Sequence, residues 1–326
     1  MLLHTNTKLS TAPRTTNQTL HVVAVVSNPV GYGSRYRLAE QFYQHMKGFN
    51  VHLTTVELAF GQREFVVTPG QHAVQYRTNS ELWHKENMVN LGIQHLPSDW
   101  QYVAWLDADI GFTNPHWVNQ TINALQHYQV VQVFQDVVDL GPNGEHLQTY
   151  RSLGGLKAAG AVIKPTWKTG PQYYGTYGHP GFAWAARREA IDNLGGLMDF
   201  SLAGSADHHM ALAFLGMAKD SLPGNVTRGY AAKVMAFQDR AERYIRRNIG
   251  GVPGTIVHYW HGKKADRGYE RRWGIILDNK YDPDTDIKRD SQGVLALHDH
   301  GDARSIKLRD DLRNYFRSRN EDSIDT

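Results

Sequence analysis

None of the 326 residues is cysteine, which excludes disulfides, thiolate chemistry and cysteine-bound zinc. Any metal must therefore be held by Asp, Glu, His or backbone oxygen. No run approaches the roughly 18 apolar residues of a membrane span. The first residues, Met1 to Lys8, lack the apolar core of a signal peptide, so a cytoplasmic location is expected. The glycines match neither a Walker nor a Rossmann fingerprint, which disfavours kinase and dehydrogenase chemistry. Excess charge is small: the formal net charge is +3, and the pI near 8.9 does not by itself announce nucleic acid. That charge is unevenly spread. Arg240, Arg243, Arg246 and Arg247 form one basic cluster; Lys263, Lys264, Arg267, Arg271 and Arg272 form another. Each reads either as solvated surface or as a face for phosphate.

Residues 1–18, rich in Thr and Asn without periodicity, predict a disordered arm. One α/β domain is expected over 19–300, then a C-terminal surface helix and charged tail over 301–326. The β-branched run from Leu20 to Val30 predicts a first strand, followed by a helix through Met46 and a strand over Val51–Ala59. Thr78-Asn79-Ser80-Glu81 has capping-box spacing and predicts a helix to about Leu91. Asn114-Pro115 predicts another helix start, with Val118, Ile122 and Leu125 as its buried stripe. Val130–Phe134 and Thr255–Trp260 read as strands, Gly141-Pro142-Asn143-Gly144 as a hairpin turn, and Arg188–Asn193, Asp207–Leu215 and Ile306–Arg317 as helices. The aperiodic stretch from Gly154 to Gly181 is expected to cover a substrate.

Tyr102-Val103-Ala104-Trp105-Leu106 reads as a buried strand ending in Asp107-Ala108-Asp109. Ligands of open α/β sheets bind beyond such carboxyl ends. Two hard oxygen ligands there suit Mn²⁺ or Mg²⁺, which in turn suits a diphosphate. A bare Asp-x-Asp also recurs by chance in loops. His258-Tyr259-Trp260-His261 can bring two imidazoles to one ion, although a structural pair is the alternative in a chain with 17 histidines. Asp207 opens a helix, either as a general base beside an activated sugar or as an ordinary cap. In His179-Pro180-Gly181-Phe182, Gly181 permits close approach to a ligand, or merely a tight turn. After the first strand, Arg35 could pair with phosphate and Tyr36 could stack on a base, or both could belong to a surface loop.

Taken together, these segments resemble the GT-A-type glycosyltransferases, which include phage-type enzymes. Asn90-Leu91-Gly92-Ile93, Asp107-Ala108-Asp109, Gly181 to Arg187 with Gly195-Gly196 and Asp207, and His258 to His261 occur in that family's order, over about residues 20–275. Many relatives carry Glu-Asp where this chain has Ala206-Asp207. The resemblance implies a GT-A-like, Rossmann-type mixed sheet flanked by helices in one large domain. It implies a metal-dependent glycosyltransferase moving a sugar from a nucleotide-diphosphate donor, UDP-sugar favoured, to a hydroxyl with inversion. Asp109, His258 and His261 would hold Mn²⁺ or Mg²⁺, with Asp107 sharing the metal or touching ribose. Asn28, Arg35, Tyr36, Asn90, Gly181 and Lys263 would line the nucleotide-sugar site, and Asp207 would be the base. The acceptor is a glycan or a hydroxymethylated base in phage DNA. A nucleotidyltransferase making sugar nucleotides is the alternative.

Overall fold

The chain begins with valine-rich β1 (Leu20–Ser27) and crosses through α1 (Gly33–Met46) to β2 (Val51–Phe60) and β3 (Ala73–Thr78). After α2 (Lys85–Gln94) it returns to the far side of β1 as β4 (Tyr102–Leu106). This is a computed structural model describing residues 18–67 and 73–325, so the arm expected over residues 1–18 lies outside the described residues except for Gln18. The four strands run parallel in the order β3-β2-β1-β4. Leu20, Val22, Val23 and all of β4 are buried. Strands covered on both faces read as apolar runs, which is why these two were visible in the sequence.

From β4 the chain passes through Asp107-Ala108-Asp109 into β5 (Ile110–Phe112), then α3 (Trp117–Ala124), β6 (Val130–Gln132), β7 (Asp136–Leu140) and β8 (His146–Arg151). Next come the short helices α4 (Leu153–Ala158) and α5 (Tyr174–Tyr177), β9 (Ala183–Arg187), α6 (Arg188–Leu194), α7 (Ala206–Ala213) and α8 (Arg228–Tyr244). The last third holds β10 (Ile249–Gly251), β11 (Thr255–His258), α9 (Arg272–Asp278), the hairpin β12 (Ile287–Arg289) and β13 (Leu295–Leu297), and α10 (Ala303–Ser318). The main sheet has seven strands, ordered β10-β6-β9-β4-β1-β2-β3, with β9 antiparallel to both of its neighbours. The result is a mixed α/β domain with a central sheet flanked by helices. A second sheet, β5-β11-β7-β8, stands beside it. Because β5 continues directly from β4 and pairs with β11, His258 lies opposite Ile110, next to Asp109. The Tyr259 amide donates to the Asp109 carbonyl at 2.9 Å and locks that register.

Several local expectations are corrected. Thr78 Oγ1 accepts from the Ser80 amide in a local turn, and the helix starts only at Lys85, so the capping box does not form. Asn114 Oδ1 does accept from the His116 amide, but regular helix begins at Trp117. The surface helix expected near Ile306–Arg317 forms as α10, but it is packed: Asp302 caps it, and it buries Leu308, Leu312, Tyr315 and Phe316. Arg319 and Glu321 beyond it are buried as well. The 263–272 basic cluster is not a solvated surface: Arg267 and Arg272 are buried in the cleft wall and Lys264 pairs with Asp139. Among the described residues, no helix is long and apolar enough to cross a membrane.

Candidate active site

A cleft opens at the carboxyl ends of β1 and β4, where strand order in an open sheet leaves room for a ligand. It is lined by Asn28, Arg35, Asp107, Asp109, Gly181, Asp207, His258 and His261. Segments more than 200 residues apart in sequence thus meet in one place because β4, β9 and the second sheet converge there. The segment expected as a substrate cover contributes Thr169, Tyr174, His179 and Pro180 to the same lining.

Asp109, His258 and His261 offer one ligand atom each within 4.8 Å of one another, all buried. His258 Nδ1 donates to Asp139 Oδ1 at 2.7 Å, so its Nε2 carries a lone pair. That Nε2 lies 3.2 Å from His261 Nε2 and 4.0 Å from Asp109 Oδ1; His261 Nε2 is 3.1 Å from Asp109 Oδ2. Asp109 Oδ1 is buried without any hydrogen-bond partner. Acceptor atoms converging with too few protons between them form a donor set that a divalent cation satisfies, and mixed imidazole and carboxylate ligands fit Mn²⁺. Burial, with the Arg267 and Arg35 charges, pushes the His261 imidazole down to about 3, so it is neutral and able to ligate. Burial works to raise Asp109, but the positive charge beside it, that of Arg35 included, outweighs burial and holds the carboxyl well below its ordinary range.

Asp107 is not part of this triad. It is paired with Lys85 Nζ at 2.5 Å. Burial opposes the charge on Lys85, but Asp107, Glu86 and Asp207 outweigh it and hold the amine above its ordinary value. Asp107 is thereby held by a neighbour and lies outside the Asp109–His258–His261 set. Lys85 sits at the first position of α2 and gave no pattern by which the sequence could announce it.

Asp207 stands in the first turn of α7, preceded by Gly204 and Ser205, both with positive φ (89° and 79°). A serine held in the left-handed region costs of order 1–3 kcal/mol and survives only where its surroundings insist. Here Arg272 Nη2 donates to Ser205 Oγ at 2.6 Å. Phe182 is likewise left-handed at φ 74°, directly after Gly181. A Cβ on Gly181 would lie 2.6 Å from Asp207 Oδ2, so glycine is what lets the carboxylate project into the cleft.

Three residues expected at the site do not line the cleft. Tyr36 lies along a separate hollow between α1 and β2. Asn90 is structural: its amide donates to the Leu197 carbonyl and accepts from the Leu197 amide, fixing the Gly195-Gly196 turn. Lys263 stands outside the lining. Asn28 lines the cleft, but its Oδ1 accepts from the Gly31 and Tyr32 amides and shapes the loop after β1. Arg35 is engaged by Glu321 and by Asp109, the latter at 3.4 Å. Lys85, Asp139, Arg319 and Glu321 carried no signal in the sequence, and Lys264, Arg267 and Arg272 were open there between solvated surface and a face for phosphate.

No protein-family profile and no curated protein matches the sequence. Among solved structures, the chain is similar to a mutant of Drosophila β1,4-galactosyltransferase 7 in complex with manganese, UDP-Gal and xylobiose. That likeness has 13% identity over 86% of this chain and 94% of the other, with a TM-score of 0.42. It is similar to a fragment of Staphylococcus aureus TarS in complex with UDP-GlcNAc, at 10% identity over 76% of this chain and 60% of the other (TM-score 0.41). It is also similar to 4-diphosphocytidyl-2C-methyl-D-erythritol synthase from Anaerococcus prevotii, at 11% identity over 73% of this chain and 87% of the other (TM-score 0.32). All three likenesses are distant, and the chemistry of the site rests on its own geometry.

Proposed function

We propose that this chain is a metal-dependent glycosyltransferase that moves a sugar from a UDP-sugar to a hydroxyl of a glycan acceptor, with inversion. The observation that carries the reading is the meeting, in one cleft, of the Asp109–His258–His261 donor set with Asp207 at the start of α7. Asp109, His258 and His261 would hold Mn²⁺ or Mg²⁺, and such an ion supplies Lewis-acid stabilisation to a leaving diphosphate. The remaining work belongs to the chain's own residues. Asp207 takes the proton of the attacking hydroxyl, general-base help worth about 10²–10⁴-fold. Lys85 neutralises Asp107, so that one fewer carboxylate repels the donor's phosphates. Tyr174, His179 and Phe182 supply apolar and aromatic wall against which a sugar ring packs.

Two other readings are less well served. The loop after β1, where a nucleotidyltransferase would cradle a triphosphate, is filled by the chain itself: Asp322 accepts from the Gly33 and Ser34 amides, and Arg63 donates to the Asn28 and Pro29 carbonyls. A hydroxymethylated DNA acceptor loses the basic 263–272 surface that favoured it. The test is nucleotide release from UDP-, GDP- and dTDP-sugars, with Mn²⁺ or EDTA, with glycan acceptors and with hydroxymethylated duplex. UDP release that needs metal and glycan, and vanishes in Asp109→Ala, is expected. Pyrophosphate release from a nucleoside triphosphate and a sugar phosphate, without UDP release from any donor, would overturn the reading.

A further inference from the structure

Two arginines stand on the atoms that a metal would need. Arg267 Nη2 lies 3.1 Å from His261 Nε2, and Arg35 Nη1 lies 3.4 Å from Asp109 Oδ2. A guanidinium has no acceptor and keeps its charge throughout the ordinary pH range. Its N–H therefore occupies the very lone pair that a cation would take, and its charge repels that cation at close range. Arg267 is only 8% exposed, and its Nε has no partner. Its other amino group reaches only the Tyr269 hydroxyl, at 3.5 Å. Lys264 nearby is already matched by Asp139. A divalent ion entering alone would thus displace both guanidinium contacts and leave Arg267 only the Tyr269 hydroxyl. Phosphate oxygens supply what is missing, because guanidinium and phosphate match in charge and in fork geometry.

We propose that Arg267 and Arg35 make uptake of the divalent ion conditional on a nucleoside diphosphate, whose oxygens receive the two guanidinium groups as the ion takes His261 and Asp109. The inference rests on the metal and donor sites proposed above. Ion and diphosphate then bind as one unit, and each tightens the other by the same factor. Both arginines are positioning residues whose contacts change partner when the donor arrives. Free metal alone does not assemble the site, so the ion enters and leaves with the nucleotide.

The probe is Mn²⁺ binding to the full-length protein, followed by electron paramagnetic resonance, alone and with UDP, the Mn²⁺·UDP complex of protein-free buffer being subtracted. In the unsubstituted protein UDP should tighten Mn²⁺ binding by about tenfold or more, within the usual range of coupling between two ligands. Arg267→Met should bind Mn²⁺ alone more tightly than the unsubstituted protein and lose most of the UDP effect. Arg35→Met should move both quantities in the same directions, and circular dichroism reports that each variant is folded. A merely structural arginine would weaken both measurements together. Equal Mn²⁺ affinity with and without UDP, or weaker Mn²⁺ binding in both folded variants, overturns the proposal. If UDP binds but Mn²⁺ binds under neither condition, the metal site itself fails and the proposal falls with it.

Discussion

Asp139 Oδ1 lies 2.7 Å from His258 Nδ1, on strands β7 and β11 that pair in parallel with these two residues in register. The carboxylate fixes the imidazole tautomer and turns a bare Nε2 toward Asp109. Lys264 in turn pairs with the second oxygen of Asp139. Burial works to raise the Asp139 carboxyl, but the hydrogen bond from His258 and the charge of Lys264 outweigh it and keep it well below the ordinary range. A carboxylate behind a ligating histidine both orients it and raises its basicity.

Asp139→Asn should therefore leave the three ligands in place while weakening Mn²⁺ binding in the presence of UDP by about 10–100-fold. An amide can accept the same hydrogen bond but carries no charge, and it loses the ion pair with Lys264. Calorimetric titration of Mn²⁺ checks this; unchanged affinity would show that the pair serves the sheet and not the site.

The parts of this architecture that were legible in the sequence are those written in local patterns. β1 and β4 are buried on both faces and so read as apolar runs, and Asp109, His258 and Asp207 follow strands or open a helix at recognisable places. Helix α8 was missed although Tyr230, Val234, Phe237 and Ala241 spell its buried stripe, because Lys233, Asp239 and Arg240 dilute the pattern. Thr78 misled for a related reason: capping-box spacing names a possible start, and the local turn to Ser80 took the same oxygen. Arg267 and Glu321 could not be placed at all from local pattern. Nothing around Arg267 says it faces inward, and Glu321 meets Arg35 across 286 residues only because the segment after α10 packs on the start of α1.

Burial pushes the Glu86 carboxyl up to about 8, with Asp207 adding to the rise and Lys85 opposing it. Its folded value exceeds its ordinary one of 4.5, so the stability it contributes is complete below that pH and is lost as pH rises through about 8. Glu86→Gln, neutral at every pH, should melt close to the unsubstituted protein near pH 5. Near pH 9 it should be more stable by on the order of 1–3 kcal/mol, a shift of a few pKa units discounted for relaxation. Denaturant melts at the two pH values check the sign; a gain that does not grow with pH would sink it.

Gly181 and Asp207 make a paired test of the base. Asp207→Asn keeps shape but cannot take a proton, and transfer should fall about 10²–10⁴-fold with UDP binding retained. Gly181→Ala puts a Cβ 2.6 Å from Asp207 Oδ2, so the carboxylate must turn away, and a loss of similar kind is expected with the base still present. Steady-state kinetics separate them from a binding defect: kcat should fall in both, with KM for the donor little changed. Full turnover in Asp207→Asn would remove the residue from the chemistry.

Glu321 holds Arg35 through both of its oxygens and also meets Arg319 Nε at 2.5 Å. Burial works to raise Glu321, but Arg35 and Arg319 outweigh it and hold the carboxyl well below its ordinary range. Its effect on Asp109 is indirect. While Glu321 keeps its charge, Arg35 is shared and reaches Asp109 Oδ2 only at 3.4 Å. Glu321→Gln removes that competition, so Arg35 should close on Asp109 and contest the metal, weakening Mn²⁺·UDP binding by roughly tenfold, the scale on which outer partners tune metal affinity. Adding Arg35→Met to Glu321→Gln should recover part of the loss, because the freed guanidinium is then gone. A double variant as weak as the sum of the two singles would mean that Glu321 acts by anchoring the C-terminal segment instead. The cycle is informative because the two residues are in contact, where additivity is the result that needs explaining.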